Sequence, residues 1–239
     1  MTEINRKVDP MEVDKNFQVR FSNICSMYQD AAVINVDELG LGMETLLEKY
    51  NYCWVVTRVY IEYYKVPKNK DELVIGTYPA KIRGGFSFSR QAYVKNNKDE
   101  YIMKFSSDWI LLDFTSRRMV LRPQIPYFHE EHEGELPDPT RVVKEDAKLL
   151  YSRMIHYSDC DMNNHLNNNR YIDMIQDVFD AEFYSKNMIK TCTVNFEREV
   201  HSGETVDVYV SDDKTYIEGR VGDASAFKAK ISIGPIVLN

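Results

Sequence analysis

The spacing between its β-rich runs constrains this chain more than any other feature. The runs "CWVVTRVYIEYYKV", "DELVIGTYPAKI", "FSFSRQAYVKN" and "EYIMKFSSDWILLDF" are separated only by turn signals such as "PKNKDE", "RGG" and "NNKDE". Aromatic and β-branched residues dominate them, as in strands that pack on a pleated surface. Parallel strands need crossovers of a dozen or more residues, so connections this short predict an antiparallel meander. Ahead of it, "NICSMYQDAAVINVDELGL" sets Ile24, Met27, Tyr28, Ala31 and Val33 at roughly helical spacing.

The same order then recurs. A short strand, "YSRMIHY", leads into a helix expected over about Asn168–Phe183, with Tyr171, Ile175, Val178 and Phe179 on one face. Strands follow at "TCTVNFEREV", "ETVDVYVSD", "KTYIEGRVG" and "AFKAKISIG". Two similar α+β modules are expected, each a long helix wrapped by a curved antiparallel sheet. We place them at residues 1–125 and 149–239. The Pro- and acid-rich stretch 126–148 reads as a linker or long surface connection. Its "HEEH", with His129 and His132, lacks the HExxH spacing of a zinc helix and reads as solvated charge.

Composition removes several functional classes. A net charge of −7 argues against a nucleic-acid partner, which needs a concentrated basic surface. "CWVV" and "WILL" are too short to span a bilayer, so no membrane insertion is expected. "MTEINRKVDPMEVDK" has no apolar signal-peptide core. Cys25, Cys53, Cys160 and Cys192 form no CxxC pair and read as free thiols in a reducing cytoplasm. No metal or redox cofactor is expected.

The chemistry concentrates in "SDCDMNNHLNNNRYIDMIQDVFD", Ser158–Asp180. Asparagine is a poor helix-interior residue and a good cap. Five of them around one histidine, ahead of an apolar-periodic run, mark more than a helix start. Asp161, Asn163 and His165 alternate, which places them on one side of an extended or irregular loop; in a helix Asp161 and His165 would share a face. Asn167 and Asn168 would support a helix start whose free N–H groups and positive dipole end suit a developing oxyanion. A multiply capped helix start with His165 merely hydrogen-bonded is the bland reading; the distant Arg198-Glu199 pair favours chemistry. Cys160 falls outside the alternating set and reads as a small buried hydrophobe.

This "DxDxxxHxNNxxY"-type loop resembles that of the hot-dog thioesterase superfamily. Together with "WVVTRVYIEYYKVPKNKDELVIGTYPA", "SSDWILLDFTSRRMVLRP" and "NFEREV", it more closely resembles the acyl-acyl-carrier-protein (acyl-ACP) thioesterases of plants and bacteria. The resemblance implies an α+β double (tandem) hot-dog fold and hydrolysis of fatty acyl-ACP, ending fatty acid synthesis. It assigns catalysis to His165 and Asn163, an orienting and polarising role to Asp161, and Glu199 to the same network. Val200 stands where some relatives carry a cysteine with a nucleophilic role, so an activated water is expected instead. Catalysis falls to the second module and acyl-chain accommodation mainly to the first. Arg83, Arg90, Arg117 and Arg118 are candidates for docking the acidic carrier. Two alternatives stay open: an acyl-CoA thioesterase of the 4-hydroxybenzoyl-CoA type, with Asp161 as nucleophile or base, and a non-hydrolytic acyl-binding or dehydratase-like hot-dog protein. Chain length and oligomeric state, a homodimer included, are likewise left open.

Overall fold

The computed structural model describes residues 1–126 and 134–239, so His129 and His132 lie outside the described residues. The first half runs β1 (Thr2–Lys7), α1 (Phe21–Glu38), α2 (Met43–Tyr50), β2 (Tyr52–Tyr63), β3 (Glu72–Arg83), β4 (Ser87–Asn96) and β5 (Tyr101–Asp113). The second runs β6 (Lys148–Met154), α3 (Asn168–Gln176), α4 (Phe183–Lys186), β7 (Asn187–Phe196), β8 (Thr205–Val210), β9 (Tyr216–Val221) and β10 (Ala224–Pro235). The helix pattern of α1 breaks at Gly40, whose φ of +70° is a left-handed conformation that glycine adopts without steric cost.

Three elements depart from the sequence reading. β1 is a mostly polar edge strand, "TEINRK", with too little alternation to announce itself; its pairing with β3, from Thr2↔Thr77 to Lys7↔Glu72, defines it. α2 forms after the reversal at Gly40 and buries Leu46. α3 stops at Gln176, short of the expected Phe183. The Asp180 carboxylate accepts from the Phe183 N–H at 2.8 Å, offering the backbone a local alternative to helix continuation. Val178 and Phe179 are nevertheless buried, so the apolar period reported burial rather than helix length.

The ten strands among the described residues form one antiparallel sheet, in the order β1-β3-β4-β5-β2-β7-β10-β9-β8-β6. The halves meet where β2 pairs with β7, from Arg58↔Asn195 to Glu62↔Thr191. This is a double hot-dog: α1 and α3 pack on each other, and the Ser22 N–H donates to Gln176 Oε1 at 3.3 Å. Ile24, Met27 and Ala31 of α1 share one fully buried core with Met174 and Ile175 of α3. Tyr28 stacks on Phe105 with ring centroids 4.7 Å apart. A smaller cluster, with Leu41, Leu46, Phe88, Leu111 and Ile125, lies beneath α2.

Residues 134–147 carry no regular secondary structure, yet polar side chains of the sheet fasten them as a strap. Gln91 exchanges two 3.1 Å hydrogen bonds with the Leu136 backbone. Asn195 accepts from Val142 N–H at 2.6 Å and donates to Thr140 C=O at 3.0 Å. Gln91 and Asn195 alternate with core-facing Ala92 and Val194, so the strap crosses the sheet face opposite the helices. Asn195→Ala should strand a buried N–H and lower stability by about 1–3 kcal/mol. The shift in denaturant midpoint measures this, and an unchanged midpoint would deny the strap a structural role.

Candidate active site

The Asn-rich loop is neither extended nor helical: it is a tight hairpin. Cys160 and Leu166 bridge as antiparallel partners, and the Asp161 N–H donates to the His165 C=O at 2.9 Å. The Asp161 carboxylate accepts from Asn163 N–H at 2.8 Å, and the Asn164 N–H closes a turn on the Asp161 C=O. Asn164 takes a left-handed φ of +61°, which asparagine tolerates better than most residues. Asp161 and His165 therefore face each other across the hairpin instead of alternating along one edge. Asn167 caps α3, its Oδ1 accepting from Asn169 N–H at 2.9 Å. Its side chain is thus engaged by the helix start.

Glu199 sits just past the end of β7, not within a strand as its sequence context implied. The Leu166 N–H donates to the Val200 C=O at 2.7 Å and so ties the hairpin to this segment. Tyr171 of α3 donates its hydroxyl to the Arg198 C=O at 3.3 Å. These contacts bring Glu199 Oε2 to 3.2 Å from His165 Nε2. The other carboxylate oxygen, Oε1, accepts from Arg117. Arg117 lies in the turn after β5 at a φ of +57°, and it comes from the first half of the chain. Its remaining arm approaches Cys53 Sγ at 3.6 Å. Sequence reasoning proposed Arg117 for carrier docking and missed this contact, which depends on the β2–β7 seam.

Burial is the chief influence holding His165 below its ordinary value; Glu199 opposes it, and His201 and Arg117 reinforce it. Burial pushes the Cys53 thiol up, and that of Cys192 to about 12. The Val200 side chain is fully buried in the core. His201 escaped notice in the sequence, where it followed the acid by two residues. Its ring meets that of His165 edge-on at 4.9 Å, and its Nδ1 lies 3.3 Å from the Asn164 C=O. His165, Glu199 and His201 each offer a ligand atom within 4.8 Å of the others. Arg117 already neutralises the carboxylate of that trio, which works against a second cation there.

Two cavities meet at this loop. One, of about 320 Å³, is lined by His165, Glu199, Tyr171 and Phe196. The other, of about 250 Å³, runs under α1 past Ala32, Val36, Phe88 and Arg90. Asp161, Asn163, Asn168, Trp54 and Trp109 line both. The two tryptophans pack against the core on one side and form cavity wall on the other.

The four docking arginines fare differently. Arg90 is buried, a correction explained by the alternation of β4, which turns it toward α1 with Phe88 and Ala92. Arg83 pairs with the buried Asp108 and with Asp138 of the strap. Arg117 is bound to Glu199, and Arg118 is exposed.

The sequence matches the acyl-ACP thioesterase N-terminal domain over residues 2–124 and the acyl-ACP thioesterase C-terminal domain over residues 143–229. The chain belongs to the acyl-ACP thioesterase family. It is 26% identical over 219 residues to oleoyl-acyl carrier protein thioesterase 2, chloroplastic, of Arabidopsis thaliana, covering 82% of this chain and 59% of the relative. To the palmitoyl-acyl carrier protein thioesterase of the same plant it is 25% identical, covering 82% and 51%. The chain thus spans little more than half the length of these curated relatives. Its fold matches the crystal structure of an acyl-ACP thioesterase from Bacteroides thetaiotaomicron with a TM-score of 0.89, at 21% identity, covering 98% of this chain and 97% of the other. The 12:0-ACP thioesterase from Umbellularia californica matches with a TM-score of 0.80, at 15% identity, covering 98% and 94%.

The electrostatics predict a specific titration. A histidine held low is neutral at pH values where a free one, of pKa about 6.5, is largely protonated. Arg117 disfavours the imidazolium and shares the carboxylate that would stabilise it. Arg117→Gln should therefore move the His165 midpoint to higher pH in an NMR titration. An unchanged or lower midpoint would contradict this reading of the network.

Proposed function

We propose that the protein hydrolyses fatty acyl-ACP thioesters to free acid and carrier. The observation that carries this is Glu199 held between Arg117 and His165 at the mouth of an apolar cavity. Glu199 accepting from Nε2–H fixes the neutral tautomer of His165 and leaves the lone pair on Nδ1. Water gives a proton to that nitrogen as its oxygen attacks the thioester carbon. The imidazolium returns the proton to the leaving thiolate as the carbon–sulfur bond breaks, so acid and thiol are the products. Asn163 and the first-turn N–H groups of α3, beside Asn168, receive the oxyanion. Asp161 shapes the hairpin that presents them.

The acyl chain occupies the 250 Å³ cavity, built mainly by the first half of the chain. No cysteine acyl-enzyme is part of this reading. Cys160 lies 3.7 Å from the His156 C=O, and burial raises the Cys53 thiol away from its thiolate. Four free thiols support a reducing compartment such as the cytoplasm. Among the described residues no helix is long and apolar enough to cross a membrane.

Removing a general base typically costs about 10²–10⁴-fold in rate. His165→Ala should lose at least that much in kcat, Glu199→Gln a substantial part of it, and Cys160→Ala little. Activity should rise with pH through the His165 titration and resist thiol alkylation. An acyl group trapped on a cysteine after rapid quench would overturn the mechanism. One acyl chain offered on ACP and on CoA tests the carrier: equal or faster turnover of the CoA thioester would count against ACP.

A further inference from the structure

The first half of the chain carries a counterpart of the site hairpin. Val13 and Val19 bridge as antiparallel partners, as Cys160 and Leu166 do. The Asp14 N–H donates to the Gln18 C=O at 2.8 Å, and the Asp14 carboxylate accepts from Asn16 N–H at 2.7 Å. Phe17 takes a left-handed φ of +61°, the value found at Asn164. The Val19 N–H donates to the Pro67 C=O at 2.9 Å, as that of Leu166 does to the Val200 C=O. α1 then starts at Phe21, just past Gln18, as α3 starts at Asn168, just past His165. Asp14, Asn16 and Gln18 thus repeat the frame of Asp161, Asn163 and His165.

This counterpart cannot do the same chemistry. Gln18 offers an amide where His165 offers a basic nitrogen. The residue ahead of the accepting carbonyl is Val66 here and Glu199 there, so the base and its carboxylate are both replaced. The surrounding walls are kept. β2 and β7 pair antiparallel about Tyr60↔Thr193, so a pseudo-two-fold axis at the seam exchanges them. Met188 and Ile189 of β7 then take the places of Val55 and Val56 of β2.

A cavity of about 300 Å³ opens at this second hairpin. Asp14, Gln18, Val66, Met188 and Ile189 line it, as Asp161, His165, Glu199, Val55 and Val56 line the 320 Å³ cavity. Phe21, Phe179 and Ile236 add apolar wall. Tyr63 lines it where the other cavity has Phe196. Tyr63 is 4% exposed, and its hydroxyl has no hydrogen-bond partner among the described residues. A buried hydroxyl left so is costly and calls for an acceptor. The oxygen of an acyl group seated at this hairpin would be one, with its chain along the apolar wall. Lys15 and Arg20 line the cavity together with Asp177 and Asp180, a mixed lining that admits a carboxylate or an uncharged thioester head.

Resting on the acyl-ACP reading above, we propose that this cavity is a second fatty acyl site, which holds an acyl group without hydrolysing it. It is the pseudo-symmetric mate of the catalytic cavity, with the apolar walls and the hairpin retained and the base lost.

The test is native mass spectrometry of the full-length protein with two probes of equal chain length. One is a fatty acyl amide of pantetheine, in which nitrogen replaces the thioester sulfur so that it resists hydrolysis; the other is the free fatty acid. At least one probe should load two acyl ligands per chain. Loading by the amide alone makes the second site one for thioesters, and loading by the acid alone makes it one for the released product; either supports the proposal. Ile236→Trp, which fills the second cavity from a half-buried position, should lose one ligand and keep acyl-ACP turnover. One ligand per chain with both probes would overturn the proposal, as would two ligands undiminished in a folded Ile236→Trp. Where that variant fails to fold, a diazirine at the chain end decides on the wild type. Adducts on both the α1 side and the Phe179–Ile189 side support the second site, and adducts confined to the α1 side overturn it. Absence of all acyl-ACP turnover in the wild type would sink the acyl-ACP reading, while the ligand count and the adducts still decide the second cavity.

Discussion

The pairing of β2 with β7 is the interaction on which the rest of the architecture depends. It joins two meanders that would otherwise each end in unpaired edge strands, and it makes one ten-stranded sheet of them. With the sheets fused, α1 and α3 lie against each other and share a single core. The seam also has a chemical consequence. Cys53 lies near the start of β2, Arg117 follows its neighbour β5, and Glu199 follows β7, so the sheet brings all three to one end of the joint.

The candidate site is therefore assembled by both halves. The Asn-rich hairpin supplies His165, the end of β7 supplies Glu199, and the first half supplies the cation that holds the acid. Each oxygen of Glu199 has one partner, so its orientation is defined from two directions. Burial, chiefly, pushes the His165 pKa below its ordinary value, with Arg117 reinforcing the shift and Glu199 opposing it. A tandem chain builds within itself a pairing of hot-dogs, and its two halves are free to differ. Here the second half holds the polar hairpin, while the first contributes the apolar walls under α1 and a buried guanidinium.

Polar groups also organise the opposite sheet face. Gln91 and Asn195 sit on neighbouring-half strands and grip the strap through its backbone, burying Leu136 and Val142 without regular secondary structure. The strap thus crosses from one half to the other, and its lack of an apolar period concealed this. Its backbone groups are satisfied by side chains far away in sequence, which local pattern does not report.

The sequence by itself determined the meanders, the repeat, the helix-in-sheet architecture and the loop that carries Asp161, Asn163 and His165. Each of these rests on local order: strand period, turn length, and polar residues crowded at a helix start. The pairing of Glu199 with His165 was anticipated only through family resemblance. The tertiary structure alone decided the length of α3, the polar edge strand β1, the place of His201 and the fates of the arginines. Arg90, Arg117 and Arg118 look alike in the sequence, yet one lies inside the cavity wall, one clamps an acid and one meets solvent. The physical reason is that a long cationic side chain takes its role from whatever lies within its reach. That neighbourhood is set by strand register and by the β2–β7 joint, across more than eighty residues of chain in the case of Arg117 and Glu199.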